Sequence, residues 1–301
     1  MIKKYSIVKA ASLTLVTSVV LLASCTKAKL DDDFPKGDPP PVAGGYVNSN
    51  EVSPANLVSH FSFDGNVNDL KGGITGGTIT GKGSLVPGKK GQAYQGASDA
   101  FIAYNTAGPL ASLTSFTVAV WINTQKHDGG AQALFMVPKA DGSFWGNFFM
   151  MIEGAGASEN RMLVKVHFEK NVTPPVSNIE HWLETGGTRR LNDMYGAWRH
   201  LACTYDEATS KFTFYTNGNK IDFGTDENRL AATGQPLGAL AFKNATRFVI
   251  GGFQNQLGAP FNTPEPWMLP YTGKLDELRF YKKALTGQEV TALFQLENQG
   301  R

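Results

Sequence analysis

Cysteine is almost missing from these 301 residues: there are two, Cys25 and Cys203. With so few thiols, neither a disulfide framework nor a thiolate metal cluster is expected, and Cys203, in the apolar run Leu201-Ala202-Cys203, reads as a small buried hydrophobe. Histidine is scarce as well, and His60, His127, His167, His181 and His200 show no His-x₃-His spacing, so no transition-metal site is expected. The chain lacks a Gly-x-Ser-x-Gly elbow and a phosphate-binding loop; Gly251-Gly252 follows a strand but opens no helix and reads as a turn. Charge of one sign is lacking too. The formal net charge of +2 falls to near −1 without Lys3, Lys4 and Lys9, which argues against nucleic acid as a partner.

What is present begins at the N-terminus. Lys3 and Lys4 precede an apolar stretch from Ile7 to Leu22 that ends in Leu22-Ala23-Ser24-Cys25, the order of a secretory signal peptide with a lipobox. Interrupted by Ser12, Thr14, Thr17 and Ser18, the stretch is short and polar for a stable transmembrane span. Residues 1–24 are therefore expected to be removed, with diacylglycerol on the Cys25 thiol anchoring the chain to the outer membrane; dual acylation suffices for stable attachment. Lys29-Leu30-Asp31-Asp32-Asp33 resembles the acidic export signal of Bacteroidetes-type surface lipoproteins, which implies exposure at the cell surface; a solvated acidic linker is the plainer reading of such a run. From Pro35 to about Asn50, proline and glycine dominate, and an extended stalk is expected. The division is thus a signal peptide at 1–24, a lipidated N-terminus and flexible linker at 25–53, and one domain at 54–301, a length common for a single all-β unit.

Within that domain, period-two alternation marks half-buried strands. Phe116, Val118, Val120 and Ile122 share one face of a strand, with Thr117, Ala119, Trp121 and Asn123 on the other; Phe61 and Phe63 flank Ser62 in an earlier strand, and Leu163 to Phe168 forms a further one. Lys211 to Thr216 followed by Asn217-Gly218 predicts a hairpin, because Asn-Gly supplies the positive φ angles of a type I′ turn. Helical signal is confined to the C-terminus, where Thr286-Gly287-Gln288-Glu289 fits a capping box ahead of the Val290, Leu293, Phe294 stripe. Thirty-three glycines and fifteen prolines between short strands complete the expectation of a twisted antiparallel double sheet closed by one short helix.

Four blocks carry a resemblance. They are Leu57 to Asn66 (LVSHFSFDGN), Ser115 to Ile122 (SFTVAVWI), Trp198 to Asp206 (WRHLACTYD), and Tyr271 to Tyr281 (YTGKLDELRFY) with Ala284-Leu285-Thr286. In this order they resemble the laminin-G-like jelly rolls of the concanavalin A-like lectin/glucanase superfamily, which implies an all-β, two-sheet antiparallel jelly-roll sandwich with one short C-terminal helix. The stretch from Ala140 to Gly196 matches little of the pattern, and function usually resides in such variable loops. The resemblance implies one structural calcium ion on Asp64, the Gly65 carbonyl and Asp276, with Asn66, Asn68 and Asp69 near enough in sequence to add oxygens. An Asx turn at Asp64 and an outward strand residue at Asp276 is the alternative.

Catalysis finds no support in the motifs. The laminarinase-type hydrolases of the superfamily place acids on one strand face as Glu-x-Asp-x-x-Glu, and no glutamate here has aspartate two positions on. Glu180, Glu184 and Asp193 in the variable middle read as surface carboxylates, so no catalytic residue is assigned. Sugar sites on jelly rolls use exposed aromatic rings with amides and carboxylates around them. Trp145, Trp182 and Trp267 lie in loop-like sequence, with Asn147, Gln254 and Asn255 as polar company; Trp121 and Trp198 read as scaffold. A ring that merely plugs a loop or covers a sheet edge is the competing reading for each. The resulting expectation is a surface lipoprotein that holds oligo- or polysaccharide without turnover, the alternatives being a protein-binding adhesin and a hydrolase or lyase with unfamiliar catalytic groups.

Overall fold

The alternation of Phe116–Asn123 divides its side chains between two environments, and the rest of the molecule is arranged around that division. Phe116, Val118, Val120 and Ile122 enter the main core, whereas Ala119 joins a second apolar cluster beneath the C-terminal helix. The computed structural model describes residues 39–173, 179–231 and 234–301. The expected signal peptide, the lipidation site Cys25 and the acidic run Asp31–Asp33 lie outside the described residues.

Among the described residues, the strands form two sheets of eight. The first runs in space Asn219–Ile221, Lys211–Thr216, Arg199–Asp206, Phe116–Asn123, Lys274–Tyr281, Gln92–Gln95, Ser84–Pro87, with Leu57–Phe61 also paired to Lys274–Tyr281. In the second the order is Glu180–Glu184, Val164–Glu169, Phe148–Glu153, Ala131–Val137, Phe248–Ile250, Phe101–Tyr104, Thr78–Thr80. Among these strands pairing is antiparallel except for Met268–Leu269, which lies parallel to Ala131–Gln132. Each sheet joins a run of sequence-consecutive strands, those within residues 199–221 in the first and 131–184 in the second, to strands distant in sequence, as in a jelly-roll sandwich. Between the sheets, phenylalanine rings interlock: Phe116 and Phe148 stand 4.4 Å apart, and Phe135 meets Phe280 edge-on at 5.0 Å.

Asn217 and Gly218 adopt φ of 48° and 75°, the left-handed pair that a type I′ hairpin requires. Gly218 has a second reason to lack a side chain, since a Cβ there would stand 3.0 Å from the Phe294 ring of the helix. The helix, Gly287–Asn298, is capped as the sequence indicates: the Thr286 hydroxyl accepts from the Glu289 amide at 3.2 Å, and the Glu289 carboxylate accepts from the Thr286 amide at 2.8 Å. Its apolar stripe, Val290, Leu293 and Leu296, lies on the outer face of the first sheet against Ala119, Ala202, Tyr215 and Tyr281.

Two boundaries differ from the sequence reading. The first strand ends at Phe61, and Phe63 adopts a left-handed φ of 58°, which leaves the ladder while keeping the ring in the core 6.1 Å from Tyr94. Packed residues also begin before Pro54, within the expected linker, and residues 41–301 form one compact unit. Val42, Tyr46 and Val52 supply apolar surface to the helix-side cluster, and Ser49 and Asn50 accept hydrogen bonds from the Arg279 guanidinium. No helix among the described residues is long and apolar enough to cross a membrane.

Candidate functional site

Among the described residues, no α-helix covers the outer face of the second sheet. Because side chains alternate, Phe149, Met151 and Glu153 of one strand, Lys165, His167 and Glu169 of the next, and Glu180, Trp182 and Glu184 of the edge strand all stand on the side away from the core. Two loops bring further rings to this face. Trp145 comes from the loop before Phe148–Glu153, and Trp267 from the segment before the parallel pair Met268–Leu269. The Trp267 carbonyl accepts from the Ala131 amide at 2.8 Å, an approach so close that a Cβ on Gly130 would lie 2.4 Å from the Trp267 oxygen.

The three tryptophans predicted from sequence therefore converge. Trp145 stands 5.1 Å from Trp182 and 5.7 Å from Trp267, all three half-buried against Phe149, Met151, Met136 and Phe253. Phe144, exposed, meets Trp145 edge-on at 4.8 Å and extends the aromatic surface outward. Together with Gly130, Met151, Glu153, Lys165 and Glu184, the three indoles line a cleft of about 410 Å³. Its polar residues form one group: the Lys165 ammonium lies 2.8 Å from Glu153 and 3.6 Å from Glu184. Aromatic surface and hydrogen-bonding charge thus share one concavity.

Beneath the indoles lies a buried polar network. Lys139 donates to both Glu169 oxygens at 2.8 Å, Asn171 donates to the same carboxylate at 2.6 Å, and His167 stands 3.5 Å from it. Burial pushes the Glu169 carboxyl up, but the bonds from His167, Lys139 and Asn171 outweigh it and hold it below the usual carboxylate range. Burial lowers His167, whose ring is stacked on Phe149 at 4.7 Å and meets Trp182 edge-on at 4.4 Å. The network thus fixes the ring that supports Trp182.

The expected polar partners of the tryptophans sit deeper. Asn147 is fully buried, donating to the carbonyls of Pro138 and Lys243 at 2.9 Å and accepting from the Lys243 amide at 2.8 Å. Gln254, also fully buried, accepts from the Lys139 amide at 2.8 Å and donates to the Ser143 carbonyl at 2.9 Å, so it positions the Trp145 loop from below. Asn255 is buried beside it. None of these three amides lines the cleft. The groups that do, Glu153 and Lys165, were passed over in the sequence. Alternation in Val164–Glu169 was the available signal, because it turns Lys165, His167 and Glu169 to the face opposite Val164, Val166 and Phe168.

Asp64 and Asp276, the expected calcium ligands, hold one turn from two sides. Asp64 accepts from the Gln92 amide at 2.8 Å, while the Gly65 amide donates to the Gln92 side chain at 2.9 Å. Asp276 is buried and accepts from the amides of Lys89 at 2.7 Å, Lys90 at 2.9 Å and Glu277 at 2.8 Å. Both carboxylates thus serve the backbone of this turn, and among the described residues no group of three or more His, Cys, Asp or Glu side chains is placed to hold a metal ion. Glu180 and Glu184 flank Trp182 on the edge strand, Glu180 accepting the indole N–H at 3.3 Å, and Asp193 lies elsewhere, its carbonyl accepting from Arg199.

A family model for laminin-G-like domains, described as the concanavalin A-like lectin/glucanases superfamily, matches residues 95–291. No curated protein matches the chain. Among solved structures, domain 4 of AbnA, a GH43 extracellular arabinanase from Geobacillus stearothermophilus, in complex with arabinotriose, is 22% identical with a TM-score of 0.51 over 79% of this chain and 98% of that one. The binding domain of botulinum neurotoxin DC in complex with SialylT is 13% identical, with a TM-score of 0.54 over 83% of this chain and 52% of that one. The same toxin's binding domain in complex with rat synaptotagmin II is also 13% identical, with a TM-score of 0.51 over 81% and 52%. The chain spans about half the length of the toxin domains, and at these identities the likeness is one of fold.

Proposed function

The chain belongs to the concanavalin A-like lectin/glucanases superfamily, and on that basis we propose that it is a carbohydrate-binding module that holds oligo- or polysaccharide on the open face of its second sheet without turning it over. The observation that carries this reading is the convergence of Trp145, Trp182 and Trp267 on a cleft whose remaining wall is Glu153, Lys165 and Glu184. Indole faces stack on the apolar face of a sugar ring, and charged groups beside them bond its hydroxyls. The cleft volume of about 410 Å³ falls within the range of ligand pockets. That an arabinanase domain of this fold is described with arabinotriose, and a toxin domain with SialylT, supports the same direction. The Leu22-Ala23-Ser24-Cys25 lipobox supports placement at the outer membrane through a lipid on Cys25, and the acidic run Asp31-Asp32-Asp33 supports an outward orientation. In this setting the module gathers glycan at the cell surface.

A second reading, hydrolysis, draws on Glu153 and Glu184, two carboxylates in one cleft. Glycoside hydrolysis needs one of two carboxyls to hold a proton, whereas these two share an ion pair with Lys165. Retention therefore fits the site better than turnover.

The test is retardation of the purified chain in native gels containing a panel of neutral and acidic polysaccharides, arabinan among them. At least one should retard the wild type, and Trp145→Ala should weaken that interaction tenfold or more, about 1.4 kcal/mol; Trp182→Ala and Trp267→Ala should act in the same direction. A wild type retarded by none of the panel, or a Trp145→Ala protein that binds undiminished, refutes the proposal. For the anchor, Cys25→Ser should move the protein from the membrane to the soluble fraction, and persistence in the membrane would contradict lipidation.

A further inference from the structure

The cleft does not stop at Trp182. On the far side of the free edge strand Glu180–Glu184 a second pocket of about 320 Å³ opens, sharing Trp182 and Glu184 with the first and lined beyond them by Arg189, Arg229, Asp226 and Phe223. Its charges are unevenly matched. Arg189 is paired with Asp226 at 2.8 Å, and Glu184 lies 3.6 Å from Lys165 in the first cleft. Arg229 has no carboxylate at ion-pair distance among the described residues. It donates to the Trp182 carbonyl at 3.0 Å, which fixes the guanidinium against the edge strand, and its Nε is buried with no hydrogen-bond partner. A half-buried guanidinium that lines a pocket without a carboxylate partner is a site for a carboxylate or sulfate, which it holds by a charge-assisted hydrogen bond.

Resting on the carbohydrate reading above, we propose that the ligand is an acidic glycan: a neutral sugar lies on Trp145 and Trp182, and the chain continues over the strand edge so that a carboxylate or sulfate on a following sugar is bound by Arg229, with Arg189 beside it. The polarity of the groove sets the direction. An acidic sugar is disfavoured in the first cleft, where Glu153 and Glu184 outnumber Lys165; in the second, with Asp226 on Arg189 and Glu184 on Lys165, Arg229 is the cation left without a carboxylate at ion-pair distance among the described residues. Trp182, common to both pockets, is the point over which the chain bends.

Matched pairs of polysaccharides that share a backbone and differ in charge provide the test: methyl-esterified against de-esterified galacturonan, xylan against glucuronoxylan, and a neutral against a sulfated galactan. In at least one pair the acidic member should bind the wild type about tenfold more tightly at low salt. Arg229→Gln should abolish that difference while leaving affinity for the neutral member within twofold. Asp226→Asn, which frees Arg189 from its exposed partner, should widen the difference, and this second variant carries the test if Arg229→Gln does not fold. Equal or weaker binding of every acidic member overturns the inference while neutral binding keeps the carbohydrate reading intact. A preference that survives Arg229→Gln and is unmoved by Asp226→Asn overturns it as well. Binding of no polysaccharide, charged or neutral, overturns both.

Discussion

On the outer face of the first sheet, Trp121 donates its indole N–H to Glu297 of the helix at 2.8 Å and stacks on Phe294 at 5.5 Å; on the outer face of the second, Trp182 donates to Glu180 and turns its ring to a cleft. Both faces carry a histidine, a glutamate and a cation buried beneath an indole. On the roofed side these are His200, Glu297 and Arg279, on the open side His167, Glu169 and Lys139. What separates them is a lid of twelve residues, Gly287–Asn298. An outward tryptophan is scaffold where a later element covers it and keeps an open face where none does, so residue type alone does not assign its surroundings.

The roofed side is where substitution should be most damaging. The Arg279 guanidinium is fully buried, with Glu297 at 2.7 Å, Glu277 at 2.5 Å, and Asn50 and Ser49 as further acceptors. Burial pushes the Glu277 carboxyl up, but the bond from His60 and the charge of Arg279 outweigh it and hold it low. Arg279→Leu strands two buried carboxylates and should cost about 3–5 kcal/mol, a fall in melting temperature of roughly 10 °C. Trp145→Ala, on the open side, should lose glycan affinity with a far smaller shift in melting temperature. Equal shifts for the two variants would dissolve the distinction between the faces.

A smaller effect should appear with pH. Burial lowers His200 to about 3 from its ordinary 6.5, with the charge of Arg279 acting in the same direction. Since the folded state resists protonation and the unfolded state does not, the stability is fully present above pH 6.5 and declines as pH falls from 6.5 toward 3. At pH 5 the loss from this group should be about 2 kcal/mol. His200→Gln should flatten the dependence of melting temperature on pH between 5 and 7. A slope identical to that of the wild type would place the acid sensitivity elsewhere, with His167 on the open face, also lowered by burial, as the next residue to replace.

The sandwich was readable because its determinants are local. Period-two alternation in Phe116–Asn123, the Asn217-Gly218 turn and the Thr286/Glu289 capping box each specify backbone geometry over a few residues, and each is found in place. Local signals also placed Trp145, Trp182 and Trp267 off the core, although nothing in sequence said that segments more than a hundred residues apart would set their rings side by side. The amides fared differently. Asn147 and Gln254 lie next to the tryptophan loops in sequence but are turned inward, because the carbonyls of Pro138, Lys243 and Ser143 need donors where the loops leave the sheet. Lys165 and Glu153 went unnoticed for the opposite reason: each looks like an ordinary solvent-facing strand residue until the neighbouring loops rise to make that face concave.

Val42 and Tyr46 pack on the helix side of the sandwich, and Arg301 donates to the Val47 carbonyl at 2.9 Å, so residues 42–47 and Arg301 share one neighbourhood. That neighbourhood is the back of the molecule with respect to the indoles. A support gripping the domain near Val42 therefore holds it by its reverse, with the three indoles on the opposite face.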